Sequence, residues 1–189
     1  MKSTARALLF LTLLVAAALP ARADMAAKNK AEAAAVIKKF GGALKKELQT
    51  AMKAGGPMTA IAACNLKAPA IADTHSAGPW TVARTSLKIR NPVNEPDAWE
   101  REILAMFEAK KAAGTPVGRL AHAEVVTRDG KKTFRFMKAL PTAGLCLNCH
   151  GGNLKPEVAA KLNELYPDDK ARGYKAGDIR GAFSLEKPL

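Results

Sequence analysis

The residues best suited to chemistry lie together at Cys146-Leu147-Asn148-Cys149-His150, a C-x-x-C-H motif. Two thiols three residues apart reach the two vinyl groups along one edge of a porphyrin, and the adjoining imidazole can swing beneath the ring to bind its iron. The expected chemistry is one covalently attached haem c, with Cys146 and Cys149 as thioether anchors and His150 as proximal iron ligand. A chance match at this chain's Cys and His content is on the order of one in a thousand. Two other uses of the motif are weaker. A thioredoxin-like pair would open a helix early in a βαβ unit, whereas this one lies late in the chain and is followed by Gly151-Gly152. A zinc site would need two more ligands at compact spacing, and only Cys64, His75 and His122 remain.

The other face of the iron needs a ligand from upstream, or none, because no Met, His or Cys follows His150. The candidates are Cys64, His75, His122 and the methionines Met25, Met52, Met58, Met106 and Met137. Met106 and Met137 fall in apolar patterns, where methionine is ordinarily core filler. His122 sits mid-strand and His75 in a polar turn, and both read more readily as packed or surface residues. Cys64 stands out as an orphan thiol on an apolar, alanine-rich helix face, AIAAC…APAIA, that a flat ring could approach closely. An inert buried cysteine fits the same pattern, and the residues alone leave these two readings open.

The first residues bear on compartment. Lys2 and Arg6, the apolar run Ala7 to Leu19 and the A-x-A site Ala21-Arg22-Ala23 have the order of a secretory signal. We expect cleavage after Ala23, export to the periplasm, and a single domain over residues 24–189. Losing Lys2, Arg6 and Arg22 and no acid lowers the formal charge from +13 to +10. Nucleic acid is an unsuitable partner, since the lysines are not interleaved with aromatics. Lys39, Lys46 and Lys53 share a helix face, an ordinary solvated face that would also suit an anionic membrane surface or an acidic redox partner.

The elements that must position these residues follow from periodicity. Ala26 to Lys53 has helical spacing, interrupted at Gly41-Gly42 and closed by Gly55-Gly56; Pro57 opens a second helix carrying Cys64, with a kink or early end expected at Pro69. Trp80 to Ile89 reads as a strand, Asp97 to Ala113 as a helix with Gly114 at its end, and Leu120–Thr127 and Lys132–Leu140 as a hairpin around Asp129-Gly130. Pro156 to Tyr166 suggests a short helix and Asp178 to Leu185 a last strand. The expected fold class is α+β, a small antiparallel sheet with helices on one side.

Four stretches in order, AIAACNLKAPAIA, RTSLKIRNPVNEPDAWE, CLNCHG and YPDDKARGYKAGDIRGAFS, resemble the exported c-type haem domains with a PAS-like fold, a family long filed as a domain of unknown function. The similarity runs from about Leu44 to Leu185. The resemblance implies a PAS-like α+β fold, Cys146 and Cys149 as anchors, His150 as proximal ligand and the Cys64 thiolate as distal ligand. It more faintly implies haem-pocket, propionate or loop-bracing roles for Arg84, Arg90, Asn91 and Asn94.

A His/Cys ligand pair stabilises ferric iron and lowers its potential relative to His/Met cytochromes. The thiol must lose its proton to bind, so ligation weakens as pH falls. Reduction weakens the iron–thiolate bond and opens a site for CO or NO. The leading expectation is therefore a non-enzymatic redox or gas sensing module that signals to a protein partner. The alternative is a low-potential electron carrier, which the basic charge favours and the thiolate disfavours. A third reading, an all-helical cytochrome c′-like bundle, conflicts with the Asp129-Gly130 hairpin.

Overall fold

The computed structural model describes residues 7–76 and 78–189, with residues 7–23 described only as helix. The start of the expected signal segment, residues 1–6, and the side chains around its cleavage site lie outside the described residues. No helix among the described residues is long and apolar enough to cross a membrane.

Helix α1 spans Ala7–His75 and is broken once, at Gly55 and Gly56 (φ 67°, ψ −157°). A positive φ at Gly56 is readily available only to glycine, so the break falls where the paired glycines predict it. It divides α1 into a lysine-bearing first limb and a second limb carrying Cys64. The second limb runs through Pro69 to His75 with helical backbone throughout, so the helix does not end early at Pro69. Ala68 is buried and Ile71 and Ala72 pack against the core, and this packing offsets the hydrogen bond that proline removes. The first limb likewise passes unbroken through Gly41-Gly42. A Cβ at Gly41 would stand 2.9 Å from Cζ of Phe183, so this glycine admits a core ring rather than ending the helix.

The remaining elements are β1 (Thr81–Thr85), α2 (Ala98–Ala112), β2 (Ala121–Arg128), β3 (Lys131–Pro141), α3 (Leu147–His150), α4 (Pro156–Leu165) and β4 (Ile179–Pro188). Asp97 caps α2 in a capping box with Glu100, as the acid-first sequence predicts. Asp129 (φ 52°) and Gly130 (φ 74°) make the tight turn between β2 and β3. The strands form one antiparallel sheet in the order β1-β4-β3-β2. The protein is thus α+β with a PAS-like arrangement. The antiparallel sheet is incompatible with an all-helical bundle and with a βαβ thioredoxin unit around the motif.

The sheet carries helices on both faces, not on one. Phe134, Phe136, Phe183 and Leu185 pack with Ile37 and Phe40 of α1 on one side. Met137, Ala139 and Ala182 pack with Ile103, Leu104 and Phe107 of α2 on the other. The second face was hidden by Arg135, whose charge suggests solvent. In the structure its guanidinium lies 4.2 Å from the Trp99 ring centroid and pairs with Asp97 and Glu186, so it is buried with its charge matched. β1 is also shorter than the predicted Trp80–Ile89 run. Beyond Thr85 the chain turns away, freeing the segment that carries Ser86 and Arg90 to reach the site.

Candidate functional site

The C-x-x-C-H motif forms a tight turn, Gly144–Cys146, followed by the single helical turn α3. All three cysteines are free thiols and half-buried. Gly151 closes α3, its N–H donating to the Leu147 carbonyl, and a Cβ there would meet that carbonyl oxygen at 2.6 Å. The chain leaving α3 is then laced to segment 169–174: Tyr174 N–H donates to the His150 carbonyl (2.9 Å) and Gly173 N–H to the Gly151 carbonyl (3.1 Å).

That lacing fixes His150. Its Nδ1 lies 2.8 Å from the Ala171 carbonyl oxygen. A carbonyl only accepts, so Nδ1 carries the proton and Nε2 keeps its lone pair. Nε2 receives one long contact, from Arg180 Nε at 3.4 Å. Burial, then the positive charges of Arg180 and Arg90, pull the imidazole pKa down to about 3, so the ring is neutral at physiological pH. Tyr174 packs edge-on against the ring with centroids 6.1 Å apart. A neutral, oriented imidazole whose second nitrogen is held by a carbonyl is the arrangement in which histidine serves as a metal ligand.

The bracing runs one layer deeper. Asp169 is a fully buried carboxylate that accepts from Arg90 Nε (3.0 Å), Arg90 Nη2 (3.1 Å), Arg172 Nε (2.7 Å) and Ala171 N–H (2.9 Å). Burial alone would raise its pKa, but the hydrogen bonds from Arg90 and Arg172 hold it below the usual carboxylate range. Arg90 also donates to the carbonyls of Cys149 and Ala171, joining the anchor cysteine to the carbonyl that orients His150. Of the roles suggested for Arg90, the structure places it as a brace.

Cys64 faces this assembly from the second limb of α1. Cys149 packs against the cluster of Ile61, Val158, Leu162 and Tyr166 that joins this limb to α4, and Asn65, beside Cys64, reaches the Leu165 carbonyl. Burial pushes the Cys64 thiol pKa up, while Arg84 and Arg90 pull it the other way. Cys149 is likewise raised by burial, and it senses Cys64 as a neighbouring charge. The four residues expected to act together are therefore gathered in one region. Arg84 joins them, its pKa lowered by burial while Cys64 and Tyr166 oppose the shift.

The other candidates lie elsewhere or are already engaged. His75 is the last residue of α1 rather than part of a turn, is held by the Ile71 carbonyl and packs on Phe40. His122 sits on β2 beside Glu124 and Trp99. Met106 and Met137 belong to the α2 side of the core and Met25 is exposed. Met58 packs in the same cluster as Cys149, so it is the methionine nearest in surroundings to the motif. Asn91 does not enter the pocket through its oxygen, which caps the short turn Pro92–Asn94 by accepting from Val93 N–H. The Asn94 carbonyl accepts from Thr85. Among the described residues, no group of three or more His, Cys, Asp or Glu is arranged to hold a metal ion by itself.

The roles of Asp169, Ala171, Tyr174 and Arg180 are not evident from their residue types alone. All four lie in the quoted block YPDDKARGYKAGDIRGAFS, which was the available signal.

No curated protein matches the chain. A solved structure, described as the crystal structure of the cyanobacterial haem protein Tll0287, superimposes with a TM-score of 0.62 at 20% identity, covering 86% of this chain and 96% of that one. The Tll0287-like family model matches residues 20–188, a span that takes in both limbs' core-facing residues, the whole sheet and every site residue named above. The chain belongs to the Tll0287-like family.

Proposed function

We propose that this chain binds one haem, attached through Cys146 and Cys149, with His150 Nε2 and Cys64 Sγ as axial ligands, and acts as an exported redox or gas sensing module. The observation that carries the reading is the pairing of His150 Nδ1 with the Ala171 carbonyl, which leaves a neutral Nε2 beside two free thiols. The residues fit the group in two further respects. Cys64 approaches on a separate limb of α1, and Arg84 and Arg90 partly offset the burial that pushes its thiol pKa up. The haem protein Tll0287 shares the fold, and the C-x-x-C-H motif supplies the case for covalent attachment. When bound, haem supplies a redox-active iron whose potential is set by its axial ligands and their hydrogen bonds.

The chain's own residues then divide the work. Cys146 and Cys149 hold the cofactor by one edge, and Ala171 fixes the imidazole. Cys64 is the exchangeable side, since its thiol must give up a proton to bind and regains it as pH falls. Release of Cys64 would leave room for a diatomic gas such as CO or NO, and its limb, joined to the first at Gly55–Gly56, would be the element through which a protein partner reads the change. The signal-like first residues support a periplasmic location. A low-potential electron carrier is the second reading, favoured by the exposed Lys39, Lys46 and Lys53 on the first limb of α1.

The test has two stages. A haem stain on a denaturing gel should be positive for wild type and lost in Cys146→Ser/Cys149→Ser; persistence of the stain rejects covalent attachment. Electron resonance and optical spectra of the ferric protein should change in Cys64→Ala and not in Met58→Ala; the opposite pattern assigns the distal ligand to Met58. A reversible ligand change on dithionite reduction supports sensing, and invariant six-coordination supports the carrier.

A further inference from the structure

A cavity of about 220 Å³ is bounded by α2, the start of β4 and the loop that follows β1. Cys64, Cys146, Cys149 and His150 do not line it. Its apolar floor is made by Leu104 and Ile179, which belong to the α2 side of the core. Tyr174 lines it too, and the same ring packs edge-on against His150, so the cavity adjoins the motif without including it. Sites for drug-sized ligands run to ~300–1,000 Å³, so this one suits a smaller molecule.

Three polar groups on its lining are weakly engaged. Tyr174 is only 8% exposed, yet its hydroxyl meets Ser86 Oγ at 3.4 Å and the Arg180 carbonyl at 3.5 Å, both long for an O–H bond. Lys88 Nζ lies 5.2 Å from the Tyr174 ring centroid and donates one long bond, 3.3 Å, to the Arg172 carbonyl. Glu108 comes from α2 and has no hydrogen bond or ion pair among the described residues; Lys111, one turn further on, is taken by Asp178 at 2.7 Å. A cation and an anion thus line one small apolar cavity without pairing with each other. A simple acid would place its charge near Glu108 unanswered, and a simple amine would leave Lys88 unanswered. A molecule carrying both charges answers both.

We propose that this cavity binds a small aliphatic zwitterion, an α-amino acid of the size of valine or leucine. Its carboxylate meets Lys88 Nζ and the Tyr174 hydroxyl, its ammonium group meets Glu108, and its side chain lies against Leu104 and Ile179. The site is separate from the cysteines and imidazole assigned to haem and does not require haem to be bound.

Isothermal titration calorimetry on the full chain tests it. L-leucine should bind saturably, and isocaproate and isoamylamine, which each lack one of its two charges, should bind about tenfold more weakly. Lys88→Gln and Glu108→Gln, both at exposed positions, should each weaken L-leucine by about tenfold, while Lys131→Gln on the hairpin should change nothing. The pattern should cross over with the simpler probes: Glu108→Gln should leave isocaproate binding intact or improved, and Lys88→Gln should do the same for isoamylamine. A general loosening of the fold would weaken all three together and would overturn the proposal. So would the absence of heat with both L-leucine and L-valine at millimolar concentration, equal affinity for the three probes, or wild-type affinity in both glutamine variants. A chain without haem stain that still binds L-leucine upholds the cavity site and defeats the haem reading alone.

Discussion

Replacing Asp169 with asparagine isolates the brace behind His150. The carboxylate side chain has no solvent exposure, and three of its four hydrogen bonds come from guanidinium groups. Asparagine retains an oxygen for Ala171 N–H and Arg90 Nε, but turns an amide NH2 toward Arg90 Nη2 and Arg172 Nε, setting donor against donor. Breaking a buried pair from one side costs about 3–5 kcal/mol. Arg172 is 31% exposed, so solvent relieves part of its share and the lower end, about 3 kcal/mol, is the expected loss. For a chain of this size that is a fall in Tm of roughly 6–12 °C. Urea unfolding followed by circular dichroism at pH 7 measures it. The pH dependence has a definite sign. The folded-state pKa of Asp169 lies below its ordinary 3.8, so its contribution is complete above that value and declines as pH falls below it. The asparagine side chain does not titrate, so the gap between wild type and Asp169→Asn should narrow as pH falls below 3.8 toward 3. A gap under about 1 kcal/mol at pH 7, or one that stays constant to pH 3, would refute the assignment of Asp169 as a charged brace.

Three further substitutions separate structural from site effects. Gly181 has φ 153° and a Cβ there would run into the Thr85 carbonyl, so Gly181→Ala should destabilise by about 2 kcal/mol or more. Gly152→Ala, with open space around it, should be nearly neutral in the same thermal melt. Asn91→Ala should lower stability by about 1 kcal/mol through loss of its cap while leaving the haem spectrum untouched. A changed spectrum in Asn91→Ala would restore the pocket role that its capping contact argues against.

Much of the fold was legible wherever local chemistry decides the backbone. The Asp129-Gly130 turn, the capping box of α2 and the break at Gly56 each depend on residues adjacent in sequence. The errors arose where distant packing outweighed a local signal. Pro69 stays helical because Ala68, Ile71 and Ala72 are already held by the core, and the α2 side of the sheet was masked by Arg135, whose partners are remote in the chain. The site divides in the same way. Cys146, Cys149 and His150 are one contiguous motif, whereas Cys64 comes near Cys149 only through the packing of the second limb of α1 against α4. The carbonyl that orients His150 belongs to Ala171, whose side chain carries no chemical signal. Arg180 becomes meaningful only when β4 brings it beside an imidazole 30 residues earlier.

The sheet order β1-β4-β3-β2 places β4 between two strands that precede it in the chain. During synthesis β1 waits without a partner and β2–β3 stands as a lone hairpin, a marginal structure in water. Only arrival of β4 completes the sheet, and the same segment delivers Ala171, Tyr174 and Arg180 to His150. The orientation of His150 is therefore coupled to closure of the sheet: whatever loosens β4 from its two neighbours also loosens the hold on the imidazole.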